Sequence, residues 1–129
     1  MSYEIYLEKF KIFYKEALED LKIGAYNKTV SALWFSIEAL LRGLLLKNSK
    51  NPPERSGKLI NVATEILFHD AKDAARLSRL LTSLYYRRRE IDHRKKIANR
   101  MYAELSLRKY NEALAIIMRK YPWIKQFLT

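Results

Sequence analysis

The residues best suited to chemistry lie in one stretch, Leu84-Tyr85-Tyr86-Arg87-Arg88-Arg89-Glu90-Ile91-Asp92-His93-Arg94-Lys95-Lys96, with Arg100 just beyond. From Arg87 to Arg100 seven Lys or Arg stand against only Glu90 and Asp92. Guanidinium and ammonium groups at this density can neutralise phosphate charge. His93 is the one imidazole among them, a side chain able to take and return a proton near neutral pH. Arg89 and His93 are four residues apart and share a face if the helix continues. Arg88 and His93 are five apart, about 140° around a regular helix, and converge only if the helix breaks or bulges.

Arg88 is singled out by the apolar stripe that leads to it. Leu77, Leu81 and Leu84 recur at three- and four-residue steps, and the stripe continues through position 88 to Ile91. A cation at an inward station needs a partner, a subunit interface or a water-filled cleft. Arg87 and Arg94, by the same count, point to solvent.

Other chemistries fail on inventory. The chain has no cysteine, which removes disulfides, thiolate nucleophiles and Cys-based zinc sites. His69 and His93 are not at metal-ligand spacing, and neither H-E-x-x-H nor G-x-S-x-G occurs. The three glycines are too scattered for a phosphate-cradling loop. No metal and no cofactor is therefore expected.

The elements that must carry these residues are helices. Of 129 residues 49% are hydrophobic and 30% charged, with only three Gly and three Pro, a balance that excludes disordered and collagen-like chains. Apolar residues recur at helical spacing throughout, and no segment alternates with period two. The spacing predicts one all-α domain over 1–129, an antiparallel up-and-down bundle of four or five helices. The helices are expected near 2–23, 25–47, 57–68, 71–92 and 99–121. Gly24 should end the first, Asp70 should cap the fourth, and Pro122 should end the fifth. Trp123 and Phe127 should lid one end of the bundle. The second helix is apolar nearly all round, yet Glu38 and Arg42 interrupt it as an intrahelical ion pair, and no membrane span is expected. Met1-Ser2-Tyr3-Glu4 shows neither a basic n-region nor an apolar h-region, and the expectation is a cytoplasmic protein. The net charge of +11 favours a polyanionic partner.

Arg88-x4-His93 at the end of a long helix in a small all-α bundle resembles the R-x4–6-H signature of the HEPN family. The N-terminal amphipathic helix and the Trp34-Phe35 pair before an Ala/Leu-rich run agree with it, and the likeness covers about residues 5 to 120. The resemblance implies a four- or five-helix bundle, often a homodimer. It also implies either a metal-independent endoribonuclease of toxin type or a non-catalytic partner of a small nucleotidyltransferase. On that likeness Arg88 and His93 are the catalytic pair. His93 would exchange the proton of a ribose 2′-hydroxyl, and Arg88, helped by Arg89, would stabilise the phosphorane-like charge. This chain departs from the pattern in having Arg89 where active members commonly carry Asn or another polar residue. It also has Lys95 where active toxins frequently carry Tyr. Arg87, Arg89, Arg94, Lys95, Lys96 and Arg100 would bind RNA or a nucleotide, and Tyr85 or Tyr86 would stack on bases. A third reading is a structural dimer with an ordered ion-pair cluster.

Overall fold

The computed structural model describes residues 2–93 and 95–128. It is an all-α bundle of five helices, α1 (Tyr3–Lys22), α2 (Tyr26–Lys47), α3 (Ser56–Leu67), α4 (Ala71–Asp92) and α5 (Arg100–Lys120). A 3₁₀ segment, Pro122–Leu128, follows α5. The stop and start signals act where the sequence places them. Gly24 takes φ +79°, the left-handed conformation that ends α1. Asp70 accepts the Asp73 N–H at 3.0 Å as the N-cap of α4, and Asn99 does the same for α5 from the Tyr102 N–H at 2.9 Å.

The apolar surface of α2 explains its position. Its buried residues point in every direction around the helix, and α2 packs against each of α1, α3, α4 and α5. By length and composition α2 is also apolar enough to cross a membrane, but most of that stretch is buried beneath its neighbours. Its contact with α1 is the most intimate in the molecule. A Cβ on Gly43 would stand 3.2 Å from a Leu7 methyl and 3.3 Å from the Tyr3 carbonyl oxygen, so any side chain there would have to push α1 outward by a few tenths of an ångström. A compact polar knot lies in the core. Ser36 Oγ donates to the Phe10 carbonyl at 2.8 Å and lies 2.8 Å from the Tyr110 hydroxyl, which completes the set as donor. That knot joins α1, α2 and α5.

The main core draws on all five helices and on Ile124 of the 3₁₀ segment. Trp123 and Phe127 meet edge to face and pack against this core, the lid their types predicted. Lys47 lies over both the Trp123 and Tyr3 rings, at 4.9 and 4.7 Å, and so pins the segment to α1 and α2. A smaller cluster, Val30, Ile91, Ala98 and Ala103, sits at the basic end of α4. There Asn27 Oδ1 accepts the Ala98 N–H at 2.8 Å, tying the α4–α5 connection to the start of α2.

Candidate functional site

Because α4 runs unbroken to Asp92, its side chains radiate at regular 100° steps, and those steps decide which candidates meet. Leu77, Leu81, Leu84 and Ile91 are buried along the inward stripe, and Arg88 occupies the station between the last two. Its Nη1 donates to Asp92 Oδ2 at 2.6 Å, one turn further along. Its guanidinium also lies over the Phe35 and Tyr85 rings at 5.6 and 5.9 Å. Asp92 is held in turn by the Ser31 hydroxyl of α2 at 3.1 Å. The inward arginine thus has a carboxylate partner and two aromatic faces. It also borders a groove of about 430 Å³ shared with Arg55, Ser56, Gly57, Lys58 and Tyr85.

Arg87 departs from expectation. It does not point to solvent but reaches α5, where Nε donates to Ser106 Oγ at 2.8 Å and Nη2 to the Tyr102 carbonyl at 3.3 Å. Its guanidinium stacks on the Tyr102 ring at 4.0 Å. Ser106 is fully buried, so this arginine is a clip between α4 and α5. The reason is tertiary: one step back from the inward stripe, the face of α4 is covered by α5, which periodicity within α4 does not reveal.

His93 follows the last residue of α4 and caps it, its N–H donating to the Arg89 carbonyl at 3.0 Å. The side chains of Tyr86, Arg89, Glu90, His93 and Lys95 line one groove of about 230 Å³. Arg88 is not among them. The regular helix keeps Arg88 and His93 about 140° apart, so they open onto different grooves, whereas Arg89 and His93 share one. Arg89 is exposed, with Nη1 3.3 Å from the Tyr85 hydroxyl. Of the two tyrosines Tyr86 is 56% exposed and available for stacking. Tyr85 is half-buried, with its ring 5.3 Å from Trp34.

The remaining cations are spread along the connection and the start of α5. Lys95 is exposed on the groove. Lys96 lies over the Tyr102 ring at 4.6 Å. Arg100 donates to Glu104 at 2.6 Å, and that hydrogen bond and charge push its pKa further above the ordinary arginine value. Burial raises the Tyr102 phenol, whose hydroxyl lies 3.4 Å from Glu90. Arg94 lies outside the described residues.

Two features were not anticipated in sequence. Arg55 and Lys58 flank the start of α3 and stand on the same groove as Arg88. Glu38 and Arg42 form their expected pair at 3.6 Å, but they also latch the connection before α3. Arg42 donates to the Pro53 and Glu54 carbonyls, and the Ser56 hydroxyl donates to Glu38. The only local signal was the helix start after Pro52-Pro53; that it lands beside Arg88 is a property of the packed bundle. His69 is exposed at the start of α4. Among the described residues no three His, Cys, Asp or Glu side chains gather as a metal site. No family model, no curated protein and no solved structure matches this chain.

Proposed function

We propose that this chain is a HEPN-like, cytoplasmic RNA-binding protein, an up-and-down antiparallel bundle that pairs as a two-fold homodimer. The observation that carries the reading is the groove shared by Tyr86, Arg89, His93 and Lys95. Cations beside an exposed aromatic ring suit a single strand, whose phosphates take the charge and whose unpaired bases stack. The net charge of +11 supplies long-range attraction for a polyanion. A homodimer would double that field around its two-fold axis.

A second reading, metal-independent cleavage, is favoured by the placement of Arg89 beside His93. His93 would take the proton of a ribose 2′-hydroxyl as that oxygen attacks the adjacent phosphorus. The bond from phosphorus to the 5′-oxygen would break, leaving a 2′,3′-cyclic phosphate, and His93 would return the proton to the departing oxygen. Arg89 would stabilise the charge on the pentacoordinate phosphorus. Arg88, the pair's expected member, is engaged with Asp92 on the other groove, so Arg89 takes that role here.

The test is incubation of the metal-free protein with single-stranded RNA in EDTA, wild type against His93→Ala. Retarded RNA in both proteins supports binding, and cyclic-phosphate products from wild type alone support cleavage. Equal cutting by both would place the activity elsewhere. Absence of RNA binding together with tight capture of a nucleotidyltransferase would replace this reading with that of a partner subunit.

A further inference from the structure

The geometry points to a binding site for a phosphate monoester in the groove between α3 and α4, held by Arg55, Lys58 and Arg88. This site is separate from the Arg89–His93 groove and uses two cations that the basic run of α4 does not contain. Its volume, about 430 Å³, is in the range of small-ligand pockets.

Charge distinguishes it from the other concavities. The Arg89–His93 groove contains Glu90, the two along α1 contain Glu16 with Asp20, or Glu38, and the one beside Gly24 holds a single cation, Lys28. The α3–α4 groove is lined by three cations and no carboxylate. Arg88 is the fixed member. Asp92 holds Nη1, the aromatic rings of Phe35 and Tyr85 pack near the guanidinium, and Nε is buried without a hydrogen-bond partner. Arg55 and Lys58 are exposed at the rim. No side chain caps the start of α3, because its N-cap residue is Arg55, which has no acceptor to offer. Gly57 presents bare backbone there, where a Cβ would stand 3.5 Å from the Tyr85 hydroxyl.

A monoester fits this setting better than a phosphate within a strand. It carries about two negative charges near neutral pH, against one for a diester, and so gains more from three cations, even with Asp92 bonded to Arg88 and Glu38 to Ser56. The same chemistry comes from a free nucleoside monophosphate or from the 5′-phosphorylated end of an RNA.

The experiment titrates AMP by calorimetry, and 5′-phosphorylated and 5′-hydroxyl oligoribonucleotides of one sequence by fluorescence anisotropy. The proteins are wild type, the double variant Arg55→Ala/Lys58→Ala, and Lys72→Ala at the opposite end of α4. Both cations of the double variant are at the surface, and circular dichroism checks that the helices remain. AMP should bind wild type and Lys72→Ala alike and the double variant about tenfold or more weakly, the scale of losing charge-assisted contacts. A preference for the 5′-phosphorylated strand that disappears in the double variant identifies an RNA end as the source. AMP binding with both strands held equally identifies a free nucleotide. No AMP binding by wild type, or equal binding by the double variant, overturns the site. Affinity for the 5′-hydroxyl strand reports separately on the Arg89–His93 groove.

Discussion

Arg88 Nη1 and Asp92 Oδ2 lie 2.6 Å apart across one turn of α4, and the same carboxylate accepts the Ser31 hydroxyl of α2 at 3.1 Å. Asp92 is therefore both the counter-ion of the inward arginine and a tie between two helices. Asp92→Asn keeps the size and removes the charge. Both partners are partly exposed, so the expected loss of stability is at most about 1 kcal/mol in urea denaturation. RNA affinity, read by anisotropy, should rise two- to threefold or so as a negative charge leaves the basic end.

Arg87 should behave in the opposite way. Its bonds to Ser106 and the Tyr102 carbonyl and its stack on Tyr102 hold α4 to α5. Arg87→Ala should lower stability by about 1–3 kcal/mol, because the buried face loses charge-assisted hydrogen bonds and packing. Lys95→Ala, at an exposed site, should leave the denaturation midpoint unchanged while weakening RNA binding.

Alkaline pH should destabilise the fold. Burial holds the Tyr110 phenol well above the usual tyrosine range, and burial shifts Tyr102 and Tyr121 in the same direction. The unfolded chain releases these protons near pH 10, while the native protein retains them. The stability they contribute is complete below about pH 10 and declines as the pH rises beyond it. A urea series from about pH 8 to pH 11 should show this decline, with a shallower slope in Tyr110→Phe. At neutral pH that variant should lose about 1 kcal/mol with its bond in the Ser36 knot.

Gly43 sets the spacing of α1 and α2. A larger side chain there meets a Leu7 methyl at its tip but the Tyr3 carbonyl at the backbone, and the backbone cannot yield without moving α1. Gly43→Leu should therefore destabilise by about 1–3 kcal/mol, the usual range for overpacking, despite the better helix propensity of leucine. Thermal denaturation followed by circular dichroism measures it.

What the sequence discloses here is what depends on neighbours along the chain. Each helix begins and ends within one residue of its expected bounds, because caps such as Asp70 and stops such as Gly24 act locally. The inward placement of Arg88 was equally legible from the stripe through Leu77, Leu81 and Leu84. Its partner was not named from the sequence, although Asp92 stands four residues on at ion-pair spacing, because the family likeness draws attention to His93 instead. The role of Arg87 was hidden, because it depends on where α5 lies. So was the meeting of Arg55 and Lys58 with Arg88, which are about thirty residues apart in the chain and share a groove only after α3 packs on α4.

RNA binding at the end of α4 is tested most directly by the salt dependence of affinity for a single-stranded oligoribonucleotide. Wild type should bind, with the logarithm of the association constant falling linearly against that of salt concentration. The variant Arg89→Ala/Lys95→Ala/Lys96→Ala should bind more weakly, with a slope shallower by about 2, near 0.7 for each phosphate contact removed. No binding by wild type, or an unchanged slope in the variant, would contradict the account.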